Sequence, residues 1–171
     1  MIEEILKELK NILAKIPEED FSSLYSILKK SKKIYICGAG RSGIIGKSFA
    51  IRLRHLGKES YVIGETICPP IGKNDCFIAI SCSGARKNII NLAYIAKKQK
   101  SKIVTLTSNK NSTLSKISDK IIFIPKDKSI QFGNSQFEQA VFIFLEAFVL
   151  FYQKKGKISF SKMGKRHTNL E

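Results

Sequence analysis

Two short stretches of this sequence hold residue types that grip an anion. Residues 37–43 read CGAGRSG and close an apolar run, KKIYI. Gly38, Gly40 and Gly43 satisfy G-x-G-x-x-G, the spacing with which a strand-to-helix turn lets backbone amides approach a phosphate. A dinucleotide reading also wants an acid near the end of the next strand, and Glu65 after SYVIG is available for it. Two features oppose that reading. A chain of 171 residues is short for a dinucleotide domain plus a substrate domain. The loop also carries Arg41 and Ser42, which donate to a compact terminal phosphate, whereas a buried pyrophosphate is usually met by bare backbone.

The second stretch, SCSGARKN, follows the apolar run DCFIAIS. Ser81, Ser83 and Gly84 would sit at the N-terminus of the next helix, where hydroxyls and unpaired amides cradle an anion. A serine there also serves as an ordinary helix cap. Two such loops after two strands of one sheet suggest one phosphate held between them. Near the other end of the chain, Ser135-Gln-Phe-Glu138 has the spacing of a capping box, with Glu138 reaching back to the first turn. The chain has two histidines, His55 near the end of a helix and His167 in the tail. Either is a proton shuttle by type, and His55 is equally a favourable partner for a helix C-terminus.

The elements that must position these residues alternate. Ile2, Ile5, Leu6, Leu9, Ile12, Leu13 and Ile16 mark one helical face, and Pro17 interrupts it. EEDFSSLYSILKK resumes a helix with Phe21, Leu24, Tyr25 and Leu28 inward. Strands are expected at KIYIC, SYVI, DCFIAIS, KIVTLTS and KIIFIP, and helices at SGIIGKSFAIRLRHLG, KNIINLAYIAKKQ, STLSKIS and SQFEQAVFIFLEAFVLFYQKKG. The tail KISFSKMGKRHTNLE has no strong pattern. This order implies an α/β doubly wound sandwich with a five-stranded parallel sheet, two N-terminal helices, a long C-terminal helix and a tail. The expected organisation is one domain over 1–171, with N-terminal helices in 1–30, the α/β core in 31–155 and the tail in 156–171. Ligands of such sheets sit beyond the carboxyl ends of the strands, where both glycine and serine loops fall.

Composition narrows the function classes. The formal charge is +16, but 25 of the 30 basic residues are lysines spread along the chain, without a block of like charge or interleaved aromatics. That pattern argues against a nucleic-acid partner. Three of the five arginines, Arg41, Arg86 and Arg166, lie in or beside the distinctive segments. Cys37, Cys68, Cys76 and Cys82 form no C-x-x-C, and with two histidines no zinc site is expected. No uninterrupted apolar run reaches a membrane span of roughly 18 residues. The acidic start MIEEILKELK does not read as a signal peptide, so a cytoplasmic protein is expected.

GAGRSG followed by SCSG resembles the SIS (sugar isomerase) family, whose members bind phosphosugars through G-x-G-x-S and S-x-S-G loops. GRSGIIGKSFAIRLRHLG, YVIGETICPPI, SCSGARKN, QFEQA and KRHTNLE together resemble the 6-phospho-3-hexuloisomerase branch of that family. The resemblance implies a SIS, flavodoxin-like fold and a cofactor-free, metal-free isomerase. Such an enzyme interconverts D-arabino-3-hexulose 6-phosphate and fructose 6-phosphate through a 2,3-enediol, in the ribulose monophosphate pathway. It implies phosphosugar contacts at Gly40, Arg41, Ser42, Ser81, Cys82, Ser83, Gly84, Ala85 and Arg86, with Glu65 and Thr66 lining the sugar end. Glu138 falls on the family's base, and His55 and His167 on candidates for the oxygen-to-oxygen proton shuttle. Arg86 stands where the family has threonine, and FGNSQFEQ is a loose form of its Gly-Thr-x-Phe-Glu stretch. The long helix is apolar on nearly all sides, so a homo-oligomer is expected. The resemblance makes it a tetramer, with sites completed by a neighbour. Rival readings are another phosphosugar isomerase, a non-catalytic phosphosugar sensor in which Glu138 is only a cap, and a dinucleotide oxidoreductase.

Overall fold

The computed structural model describes residues 1–170; Glu171, which ends the KRHTNLE segment, lies outside the described residues. The chain order is α1 (Ile2–Leu13), α2 (Glu19–Lys30), β1 (Lys33–Gly38), α3 (Arg41–His55), β2 (Glu59–Val62), β3 (Cys76–Ile80), α4 (Lys87–Lys98), β4 (Lys102–Thr107), α5 (Thr113–Ile117), β5 (Lys120–Phe123), α6 (Ser135–Lys155) and α7 (Phe160–Gly164). The five strands are all parallel, in the order β2-β1-β3-β4-β5. The expected doubly wound sheet is therefore present.

Strand alternation divides the core into two layers. Ile34, Ile36, Ile78, Ile80, Val104 and Leu106 face the layer of α1, α2, α3 and α6. Tyr35, Cys37, Phe77, Ala79 and Ile103 face α4 and α5. Every residue of β3 is buried, as its continuous apolar run requires of a strand covered on both faces. The chain leaves β1 towards β2 and returns on the other side as β3. The switch point lies between β1 and β3, so the loops after these strands open onto one crevice.

Two elements depart from the sequence reading. The apolar rhythm runs to Ile16, but α1 ends at Leu13, and Lys15 and Ile16 close short-range turns onto Ile12 and Leu13. Pro17 disfavours helical geometry in the residue before it, so the last turn unwinds. The tail also forms α7, whose Ser159 hydroxyl accepts from the Lys162 amide at 3.2 Å. A single capped turn is too short to carry a helical period.

Helix α6 is by length and composition apolar enough to cross a membrane, with mean hydropathy 1.2, yet half of that window is buried in this domain. Phe137, Phe144 and Phe148 point into the core, while Phe142, Ile143 and Leu150 stay exposed. Its start is set by the segment after β5, which is pinned to α1. The Glu8 carboxylate accepts from the Ile130 amide and the Ser129 hydroxyl, each at 2.8 Å.

These bonds, the Ile130 amide first, hold the Glu8 carboxyl below its ordinary value of 4.5. A depressed carboxyl contributes to the native state above that value and loses the contribution as pH falls through the folded value. The Ile130 amide proton followed by NMR is expected to titrate below pH 4.5, and Glu8→Gln to abolish that titration.

Candidate active site

The first loop is shaped by close backbone approach. A Cβ on Gly38 would lie 2.8 Å from the Gly43 nitrogen, and one on Gly43 would lie 2.8 Å from the Gly38 oxygen. Strand β1 and helix α3 meet here without side chains between them. Gly40 takes φ +57° and caps α3 through its carbonyl, which accepts from Gly43 and Ile44. The second loop turns just as sharply, with Gly84 at φ +61°. A Cβ there would meet the Ser112 hydroxyl, the cap of α5, so Gly84 seats its loop on the neighbouring strand's connection. Neither α3 nor α4 has a side-chain cap, and the amides of Arg41 and Ser42 in α3 and of Lys87, Asn88 and Ile89 in α4 lack intrahelical partners.

These loops enclose a cleft of ≈ 410 Å³. Gly40, Arg41, Ser42, Ser81, Cys82, Ser83, Arg86 and Glu138 line it, together with Ala39, Ile80, Ile89 and Asn134. Gly84 and Ala85 shape the second loop rather than line the cleft. The Ala85 amide donates to the Ser83 hydroxyl at 3.3 Å. Cys82 carries a thiol pushed up by burial, which keeps it neutral.

Arg41 ties the first loop to α6. Its Nε lies 3.0 Å from Glu138 Oε2, and its Nη1 donates to Ser135 Oγ at 2.9 Å. The Ser135 hydroxyl in turn donates to the Phe132 carbonyl at 2.9 Å. This arrangement corrects the capping box expected at Ser135–Glu138. The Glu138 amide bonds the Asn134 carbonyl, so Asn134 is the cap and the helix begins one residue earlier than the box requires. The Glu138 carboxylate turns to Arg41, since a charge-assisted bond is roughly twice as strong as a neutral one. Its side chain is 12% exposed and faces the cleft.

Other expected residues lie elsewhere in the chain. Glu65 pairs with Lys47 of α3 at 2.8 Å, and with Thr66 it sits on an exposed loop that does not line the cleft. His55 and His167 stack with ring centroids 5.0 Å apart. They line a second cleft of ≈ 580 Å³ with Arg52, Glu146, Phe160 and Met163. Fourteen helical steps separate Arg41 from His55, about 20 Å at 1.5 Å per residue. One chain therefore does not bring these histidines to Glu138. Arg166 donates to the His55 carbonyl at 3.0 Å and closes the C-terminus of α3. Among the described residues no group of three or more His, Cys, Asp or Glu is placed to hold a metal ion. Ala39 and Asn134 lie within the stretches GAGRSG and FGNSQFEQ, but their side-chain types carry no anion-binding signal of their own, and Ile80 and Ile89 read only as apolar positions of a strand and a helix.

The SIS domain family matches residues 27–151, which include both loops, Arg41 and Glu138. The chain belongs to the SIS domain family. Within it, the chain is 37% identical to the 3-hexulose-6-phosphate isomerase of Bacillus subtilis, over 99% of this chain and 97% of that protein. It is 30% identical to the protein of the same name from Mycobacterium gastri, over 96% of this chain and 86% of that one. A crystal structure from Methanococcus jannaschii, described as inferring 3-hexulose-6-phosphate isomerase function, superposes with TM-score 0.89 at 33% identity, covering 99% of this SIS chain and 98% of that one.

The backbone contact between Gly38 and Gly43 is expected to be intolerant of a methyl group. Gly43→Ala must displace backbone to clear 2.8 Å, since the atom it meets is a carbonyl oxygen. Thermal unfolding is expected to drop by several degrees, consistent with ~1–3 kcal/mol for overpacking. Phosphosugar affinity measured by calorimetry is expected to fall with it.

Proposed function

We propose that this SIS protein interconverts D-arabino-3-hexulose 6-phosphate and D-fructose 6-phosphate. The observation that carries the reading is one cleft in which two serine- and glycine-built loops meet a carboxylate paired with an arginine. Full-length similarity to proteins named 3-hexulose-6-phosphate isomerase supplies the substrate class.

The phosphate is placed between the loops after β1 and β3. Arg41, Ser42, Ser81, Ser83 and Arg86 offer donors, and the unpaired amides at the starts of α3 and α4 add to them. Arg86 is assigned to the phosphate in place of the family's threonine, as its guanidinium supplies a fork that suits phosphate oxygens. Gly40, Cys82, Gly84 and Ala85 give the loops their shape and close contact.

Glu138 is the base. It takes the proton from C2 of the 3-hexulose, leaving a 2,3-enediol, and returns it at C3 to give fructose 6-phosphate. The hydroxyl proton on O2 must at the same time leave and O3 must gain one, which calls for a second group. We assign that step to His55 or His167 of a second copy, because within one chain both lie at the far end of α3. Support for a second copy comes from the apolar residues that α1, α3 and α6 leave exposed, among them Leu6, Ile44, Phe142 and Leu150. A homotetramer is the assembly proposed, in the cytoplasm. Glu65 and Thr66 are proposed to approach the sugar only from such an assembly.

A coupled assay reading fructose 6-phosphate tests this. Glu138→Gln is expected to lower kcat by about 10²–10⁴-fold while phosphosugar binding persists. Mixed and reassembled with an inactive His55 or His167 variant, it is expected to regain part of the activity. Wild-type phosphosugar binding without turnover would instead support the sensor reading.

A further inference from the structure

One carboxylate ties the N-terminal helix to the segment that leads into α6. Glu8 of α1 accepts three hydrogen bonds from the segment between β5 and α6. Oε1 takes the Ile130 amide at 2.8 Å, and Oε2 takes the Ser129 hydroxyl at 2.8 Å and the Gln131 side-chain amide at 3.3 Å. The network continues. The Gln131 side-chain oxygen accepts from Gln139 Nε2 at 2.8 Å, and Gln139 follows Glu138 in the sequence. The Gln139 carboxamide oxygen is buried and makes no hydrogen bond, so the bond through its nitrogen to Gln131 is what orients this side chain.

This segment is also tied directly to α6: the Asp127 amide donates to the side-chain oxygen of the buried Gln136 at 3.2 Å, and the Ser135 hydroxyl donates to the Phe132 carbonyl at 2.9 Å. It exposes Ile130 and Phe132, the latter by 97%, and turns through Gly133 at φ +67°. Asn134 caps α6 without a side-chain bond to the helix; its side chain is held by Lys126 at 3.0 Å. A second tether to the N-terminal region, Lys15 to Asp127 at 2.7 Å, is exposed at both ends. Exposed pairs of this kind contribute little. Glu8 is thus the tie that α1 supplies to the first turn of α6, beside Arg41 on Ser135 and Glu138 and the buried Gln136.

We propose that Glu8 is a positioning residue for catalysis, acting through Gln131 and Gln139 to set Glu138 against the cleft. It lies outside the 27–151 span that matches the SIS domain, so the proposal gives the N-terminal helix a part in the reaction. The proposal rests on Glu138 being the base. A purely structural Glu8 would lower stability alone.

The test uses the full chain, with 3-hexulose 6-phosphate as substrate and thermal unfolding measured beside kinetics. Glu8→Ala is expected to lower kcat about tenfold with KM within about twofold, a loss confined to the transition state. That is less than the roughly hundredfold that a 1 Å misplacement can cost. Glu8→Gln, which keeps one acceptor oxygen for Ile130, is expected to recover part of kcat. Gln131→Ala breaks the relay while leaving the Ser129 and Ile130 bonds, and is expected to give the same split even if Glu8→Ala folds poorly. Glu8→Ala and Gln139→Ala combined are expected to be no worse than Glu8→Ala alone. Wild-type kcat in a folded Glu8→Ala or Gln131→Ala protein, or a lowered Tm with unchanged kcat, would overturn the proposal. Full turnover by Glu138→Gln would instead remove the base assignment on which it stands, a separate outcome read in a separate variant.

Discussion

One guanidinium joins the two halves of the cleft. Arg41 begins α3, where the glycine loop leaves β1, and it reaches Ser135 and Glu138, which begin α6. Without that bridge the phosphate loops and the carboxylate would belong to separate parts of the domain, tied only by the packing of α3 on α6. The bridge places charge where chemistry needs it. The arginine is 61% exposed and the carboxylate 12%, so the cation is open to solvent at the cleft while the anion stays screened. On the proposed function, a phosphate dianion and Glu138 would share that one cation, so that neither negative group is left unpaired.

The sheet makes this possible. Parallel pairing puts the ends of β1 and β3 side by side, and the reversal of strand order leaves an opening there. The Gly38–Gly43 contact lets α3 start immediately at the strand end, so its unpaired amides face the opening. On the other layer, Gly84 and Ser112 set the depth of the serine loop. The first loop is thus held by backbone packing and the second by a glycine seated on the Ser112 side chain, and the serines and arginines of both line the cleft.

Much of this was legible in the sequence because it is local. Apolar runs of period two and helical stripes of period 3.6 gave the strands and helices nearly residue by residue. The glycine and serine loops announced an anion site by residue type alone. What was not legible depends on long-range competition. Ser135–Glu138 fits a capping box by spacing, yet Arg41, 94 residues before Ser135, captures the hydroxyl and the carboxylate. Glu8 carries no signal in the sequence, since its partners are more than 120 residues away. His55 and His167 were each a candidate proton shuttle by type. They do meet, but in a separate cleft at the other end of α3, where they meet each other rather than Glu138.

The central claim is that the cleft carries a proton between adjacent carbons of a phosphosugar. Hydrogen exchange into fructose 6-phosphate incubated with the protein in deuterium oxide, read by NMR at C1 and C3, tests it most directly. The mechanism predicts deuterium at C3, entering as the proton held by the Glu138 carboxyl exchanges with solvent over repeated turnovers, and none at C1. Deuterium at C1 with none at C3 would contradict it, and would make the enzyme an aldose–ketose isomerase acting at the other side of the carbonyl.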